Sequence, residues 1–71
     1  MNVVSIDPEI MWGTPCFVGT RVPIQTLHDF IDYGDTIDEF LQQFPDVTKE
    51  QVQAYLEEAQ RLMVQNSRKT A

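Results

Sequence analysis

The order of hydrophobic and polar positions divides the chain at about Pro23. Before this proline, short β-branched or apolar runs alternate with proline and glycine turn signals, a pattern typical of strands joined by irregular connections. We predict strands at Val3–Ile6 and Cys16–Val18. Residues 20–22 are expected to be extended too, because the chain leading into a proline avoids the α region. The N-terminal third is therefore predicted to be a short β-rich arm.

The hydrophobic positions after Pro23 recur with a helical period. Three helices are predicted, at Pro23–Tyr33, Ile37–Phe44 and Lys49–Gln65. Gly34 is a C-terminal cap signal for the first helix, and residues 36–39 and 48–51 form capping boxes before the other two. A short helix, a tight turn and a longer helix have the outline of a helix-turn-helix. The predicted fold is mostly α, with a short N-terminal β arm on a three-helix, homeodomain-like core.

A chain of 71 residues allows one domain at most. We divide it into a β-rich arm at 1–22, a three-helix unit at 23–66 and a basic tail at 67–71 that is expected to fray. A core of this size supplies only about 3–5 kcal/mol. Cys16 is the single cysteine, so the chain cannot add a disulfide, and with one histidine it does not complete a structural zinc site. We therefore expect a homodimer that pairs through the arm.

The residues expected at the dimer or partner interface are the apolar side chains of the arm: Val3, Val4, Ile6, Trp12, Phe17 and Val18. Ribbons as short as this one are marginal in water and leave strand edges unpaired. Trp12 keeps a second interpretation, since a tryptophan in so short a chain can equally fill the domain's own core. Arg21 is the one basic residue before Lys49, and we predict that it clamps the arm to the helices by holding a carboxylate. Binding a partner is its alternative role.

Charge narrows the class of partner. Eleven acidic and five basic side chains give a net charge of −6 and a pI near 4.3. Such a balance counts against free-standing nucleic-acid binding, which needs a basic footprint, and favours a basic protein partner. A lone cysteine, with no secretory leader and no apolar stretch long enough to cross a bilayer, predicts a cytoplasmic protein without a membrane partner.

Little in the sequence favours catalysis. Cys16 and His28 are the only nucleophile and base that could pair, and a small buried thiol with an ordinary helix-surface imidazole is the simpler interpretation. Neighbouring acids such as Glu57 and Glu58 point to different sides of a helix, which favours a solvated face over a metal site. We predict no catalytic residues, no metal, no cofactor and no small-molecule substrate.

The helix-turn-helix outline leaves DNA binding open. The start of the third helix offers four side chains that could read bases or phosphates: Thr48, Lys49, Gln51 and Gln53. Acidic residues on the same helix oppose this reading, and only two basic ones could neutralise phosphates. A compact hydrophobic support is the competing interpretation of the three helices. Nucleic acid is therefore expected to bind only weakly, or only to a complex.

Three motifs follow one another along the chain, with h for a hydrophobic residue. Residues 13–24 fit G-x-P-x-x-x-G-T-R-h-P-h, residues 34–40 fit G-x-[ST]-x-[DE]-E-h, and residues 44–50 fit h-P-x-h-[ST]-x-E. With these motifs the chain resembles, over most of its length, the prokaryotic family known as domain of unknown function 433. It departs from the family at Cys16–Val18, where aliphatic residues are commoner, and at Trp12, which is unusual.

The resemblance implies a helix-turn-helix-like three-helix core with an N-terminal β arm. Members are often encoded beside a PIN-like ribonuclease and are regarded as its antitoxins, and the family has no established catalytic residues. The favoured hypothesis is a bacterial antitoxin that neutralises a PIN-like toxin and co-binds operator DNA as a complex. The alternatives are a stand-alone helix-turn-helix regulator that binds DNA, and an accessory structural subunit.

Overall fold

The computed structural model describes residues 2–67. Its elements are β1 (Val4–Ser5), a single turn at Met11–Gly13, β2 (Cys16–Phe17), α1 (Ile24–Asp32), α2 (Ile37–Gln43) and α3 (Lys49–Ser67). The predicted fold, three helices preceded by a short β arm, is confirmed. The helices begin and end within two residues of the predicted bounds, whereas each strand is only two residues long.

β2 is the middle segment of the arm. β1 pairs with one of its edges in the antiparallel sense, and on the other edge the Phe17 amide donates to the Val22 carbonyl at 3.0 Å. Between these two residues the chain reverses at Gly19, whose φ of +77° suits glycine. The Thr20 hydroxyl donates to the Phe17 carbonyl at 2.9 Å and stabilises the reversal. The predicted extended stretch therefore begins only at Val22, because the residues before it form this turn.

Local hydrogen bonds end α1 and begin α2 at the predicted positions. Gly34, at φ +87°, follows α1, and its amide donates to the Ile31 carbonyl at 3.0 Å. The next amide reaches back to Phe30 at 2.9 Å, which completes a Schellman motif. Before α2, the Thr36 hydroxyl accepts from the Glu39 amide while the Glu39 carboxylate accepts from the Thr36 amide. The capping signals read from the sequence are thereby confirmed.

The core forms around two phenylalanines from different parts of the chain. Phe17 from β2 and Phe40 from α2 are both fully buried, with ring centroids 6.1 Å apart. Phe30 and Phe44 pack against Phe40 at centroid distances of 5.5 and 5.1 Å. The other buried members of this cluster are Val22, Ile24, Leu27, Val47 and Val52. The arm thus supplies a central side chain of the core.

Two residues predicted at an interface lie in the interior of their own chain. Phe17 is 0% exposed and Val3 is 7% exposed, which corrects that prediction for both. The reason is that the arm packs on the helices of the same chain, which provide the cover expected from a second chain. Val4 is half-buried against the same core, whereas Ile6 and Val18 remain exposed.

The second half of α3 extends beyond the core. Val52 is buried and Leu56 is half-buried, but every residue from 60 to 67 is exposed. Leu62 and Met63 continue the helical hydrophobic period of Val52 and Leu56, yet they are 48% and 67% exposed. With 19 residues, α3 is far longer than the 9-residue α1 and the 7-residue α2 against which it could pack.

The predicted basic tail is described only at its start. Ser67 belongs to α3, while 68–71 lie outside the described residues. In the part of the chain that the structure describes, no helix is both long and apolar enough to cross a membrane.

Replacing Phe40 tests whether this aromatic core sustains the fold. Phe40→Ala removes a fully buried ring and is expected to cost about 3–5 kcal/mol, as much as the whole stability expected of so small a core. We expect the variant to be largely unfolded by far-UV circular dichroism at 25 °C. Tyr33→Ala, which removes an 87% exposed ring, is the control and should change the free energy of unfolding by less than about 0.5 kcal/mol. Cooperative unfolding of Phe40→Ala near the wild-type midpoint would contradict this.

Candidate protein-interaction surface

The turn between the two strands has an unusual backbone. Met11 and Trp12 have φ values of +52° and +56°, and Gly13 follows at +82°. For the first two residues this left-handed conformation is strained, at roughly 1–3 kcal/mol each. Hydrogen bonds centred on Asp7 hold the turn, because its carbonyl accepts from the amides of Ile10 and Gly13 at 2.9 and 3.1 Å. Strain of this kind is concentrated at functional positions.

This strained turn presents Trp12 to solvent. The side chain is 91% exposed, the largest exposure among the large hydrophobic residues described. Of the two interpretations of Trp12, filling the domain's own core is therefore ruled out. An exposed tryptophan on a rigid turn has the properties of an interface anchor, since tryptophan is enriched among the residues that dominate binding energy.

Five exposed carboxylates lie at the junction of α1 and α2, and we refer to them as the acidic face: Asp29, Asp32, Asp35, Asp38 and Glu39. The sequence has no lysine or arginine between Arg21 and Lys49, and none of the five forms an ion pair within residues 2–67. Tyr33 lies among them and is 87% exposed. No cation within residues 2–67 pairs with the acidic face, which also carries an exposed aromatic ring.

The helix ends place these carboxylates in two different electrostatic settings. Asp38 and Glu39 lie in the first turn of α2, where the helix dipole favours negative charge. The hydrogen bond from the Thr36 amide lowers the pKa of Glu39 below its usual value. Asp32 is the last residue of α1, where the helix dipole disfavours negative charge. Its position therefore reduces the stability of the free chain.

Arg21 does not form the predicted clamp. Its side chain is exposed, and within residues 2–67 it makes no ion pair or hydrogen bond. The expected carboxylate is absent because the turn that carries Arg21 points it to solvent while Val22, its neighbour, enters the core. The guanidinium remains accessible, which leaves the alternative role of binding a partner.

Gln51 links the arm to α3 in place of Arg21. Its side-chain amide donates to the Val18 carbonyl at 2.9 Å, across 33 residues of sequence. The same side chain accepts from the Thr48 amide at 3.0 Å, and the Gln51 amide donates to the Thr48 hydroxyl at 3.1 Å. The predicted capping box of α3 is thus confirmed, and its glutamine also holds the arm.

Of the four residues proposed for DNA contact, two make side-chain hydrogen bonds within residues 2–67 and two do not. Thr48 and Gln51 use their polar groups for the cap and the arm, whereas Lys49 and Gln53 are exposed. Farther along α3, Arg61 pairs with Glu58, which raises the pKa of Arg61 and lowers that of Glu58. Two free side chains and one paired arginine form a weak surface for phosphates.

Cys16 and His28 have separate partners. The Cys16 thiol is buried and donates to the Thr14 carbonyl at 3.3 Å. His28 Nε2 lies 2.6 Å from the Tyr55 hydroxyl, beside a shallow cleft between β1 and α1. Among residues 2–67, no three side chains of the metal-ligating types come together. The two candidate chemical groups therefore serve local packing and hydrogen bonding.

Comparison with known proteins gives one positive result. The family model described as "Protein of unknown function (DUF433)" matches residues 4–59, which is most of the chain. No curated protein and no solved structure matches the sequence significantly.

Replacing Gln51 by glutamate separates its two hydrogen-bonding roles. Glutamate still accepts from the Thr48 amide, as in the usual capping box, but its carboxylate cannot donate to the Val18 carbonyl. Losing one exposed hydrogen bond costs about 0.5–1.5 kcal/mol, so the Phe17 and Val18 amides should exchange with solvent roughly 2- to 10-fold faster by NMR. Gln53→Glu adds the same charge at an exposed position on α3 and serves as the control.

Acidification supplies a second check on this variant. Below about pH 4.3, the usual pKa of glutamic acid, the protonated side chain of Gln51→Glu regains a donor, and the exchange difference from wild type should narrow. Equal acceleration in the Gln53→Glu control would show that added charge, rather than the lost link to Val18, loosens the arm.

Proposed function

The chain belongs to the DUF433 family, and on that premise we propose that it is a non-enzymatic, cytoplasmic protein-binding module that acts as the antitoxin of a PIN-like ribonuclease. The family resemblance suggests that the partner is the toxin. Independently of that resemblance, the exposed surface of this chain favours binding to another protein.

Trp12 is the observation that carries the proposal. A folded chain gains nothing from holding its tryptophan 91% exposed on a strained turn. A partner that covers the ring removes its exposure, and burying a large aromatic side chain contributes strongly to binding energy. Local features that disfavour the free fold are expected at functional positions.

The acidic face supports a basic partner. Residues 22–48 contain six carboxylates and no lysine or arginine, and Asp32 lies where the α1 dipole disfavours it. A basic surface would stabilise these charges and would be drawn to them over a distance, which raises the association rate. A ribonuclease that binds RNA offers such a surface.

Binding without catalysis agrees with the chemistry of the described residues. Cys16 is buried with a backbone acceptor, and His28 is engaged with Tyr55, so neither activates the other. The hypothesis of a stand-alone DNA-binding regulator has less support, because Thr48 and Gln51 use their polar groups in the α3 cap and in the hydrogen bond to the arm. Operator binding therefore belongs to the complex in our proposal, with the toxin adding the basic surface.

Co-expression with the product of the adjacent gene tests the proposal. We expect the neighbour to arrest growth alone, to be harmless with this chain, and to co-purify with it in a stoichiometric complex. The purified complex, and not the free chain, should bind its own promoter DNA with an affinity that falls with salt. A harmless neighbour that does not co-purify would refute the antitoxin function, and a toxic complex would do the same.

Replacing Trp12 by glycine separates binding from folding. Glycine accepts φ near +56° without strain, so the free energy of unfolding should stay the same or rise. Loss of the aromatic anchor should weaken partner binding by at least about 30-fold, as for other hot spots, measured by isothermal calorimetry. Tyr33→Ala removes a comparably exposed ring from the acidic face, whose contribution to binding comes from its charges, and should weaken binding much less than Trp12→Gly does. The reverse ranking would place the aromatic anchor on the acidic face instead of the Trp12 turn.

A further inference from the structure

The far half of α3 carries a mainly apolar stripe that the other described residues leave largely uncovered, since Ala59 is half-buried but residues 60–67 are all exposed. Viewed down the helix axis, four side chains fall within a sector about 100° wide that includes the direction of Val52. They are Ala59, Leu62, Met63 and Asn66. The stripe continues the face that Val52 and Leu56 turn to the core. Leu62 is 48% exposed and Met63 is 67% exposed. The apolar face of α3 therefore extends beyond the hydrophobic core.

The spacing of this stripe is symmetric. Its members follow one another at intervals of three, one and three residues. A two-fold axis between Leu62 and Met63 would therefore place Ala59 of one helix level with Asn66 of an antiparallel copy. The same axis would gather the leucine and methionine of both copies into one apolar layer. The small side chain of Ala59 permits two helices to approach closely, and a polar Asn66 favours a single register.

Charge favours contact between copies at α3 over contact at the acidic face. Residues 22–48 carry six acidic side chains and no lysine or arginine, a net of −6, so two copies would repel each other there. α3 carries Lys49, Arg61 and three glutamates, a net of −1. Equal chains therefore repel each other less at α3 than at the acidic face. A basic partner would prefer the acidic face instead.

We propose that α3 mediates self-association: two copies of this chain pair antiparallel through Ala59, Leu62, Met63 and Asn66. This interface is not the one expected from the sequence, which was the β arm. The arm is already packed on the helices of its own chain. It does not depend on the proposed antitoxin function. Two turns of helix bury less than the roughly 1,200 Å² of a standard interface, so the dimer is weak, with a dissociation constant on the order of tens of micromolar.

Sedimentation velocity of the full chain tests the pairing. The mass of wild type should rise from 8.2 kDa toward twice that value as its concentration is raised from about 5 to 500 μM, a range that spans the expected dissociation constant. Leu62→Glu should remain monomeric throughout. Val64→Glu is a matched control, because Val64 is 49% exposed against 48% for Leu62 but points roughly 150° away from the centre of the stripe. It should dimerise like wild type.

Disulfide trapping tests the antiparallel direction separately. In a Cys16→Ser background, an equal mixture of Ala59→Cys and Asn66→Cys chains should form mostly the crossed disulfide on mild oxidation. If disulfides between two Ala59→Cys chains, or between two Asn66→Cys chains, predominate, the antiparallel geometry is wrong. A wild type that stays monomeric, or a Val64→Glu variant as impaired as Leu62→Glu, would overturn the use of this stripe altogether.

Discussion

The packing of Phe17 against Phe40 is the contact on which the rest of this small fold depends. It brings one side chain of a two-residue strand into the centre of three helices that begin seven residues later. Because the arm is thereby buried on its own chain, β1 and the Val22 segment can pair with the two edges of β2. Gln51 then ties the reversal after β2 to the cap of α3.

Because the arm packs on its own helices, it also determines which apolar side chains remain exposed for a partner to bind. The apolar side chains first expected at an interface divide into those that fill the core, such as Phe17, and those that stay outside, of which Trp12 is the most exposed. The core ends before the second half of α3, so a further apolar stripe is largely uncovered. A domain with a thin core thus keeps two exposed apolar surfaces, at opposite ends of its sequence, and a third surface that is strongly acidic.

Features fixed by neighbours in sequence were predictable. The Gly34 cap and the Thr36 and Thr48 capping boxes depend on contacts between residues no more than about five positions apart, and the helices follow from their hydrophobic period. Features fixed by tertiary packing were not. The Arg21 clamp looked plausible from charge alone, but the turn exposes that residue, and nothing local signals that Gln51 reaches Val18 across 33 positions. The exposure of Trp12 is equally tertiary, since its apolar neighbours suit a core as well as a surface.

Tryptophan fluorescence tests most directly the claim that the strained turn holds a partner-binding anchor. Trp12 is the only tryptophan in the chain, so its emission reports on this position alone. The free folded protein should emit at the long wavelength of a solvated indole, nearly unchanged when urea unfolds it. Titration with the co-encoded partner should shift the emission to shorter wavelength and saturate at a fixed stoichiometry. A free chain whose emission is already that of a buried indole, or binding that leaves the emission unchanged, would contradict the role assigned to Trp12.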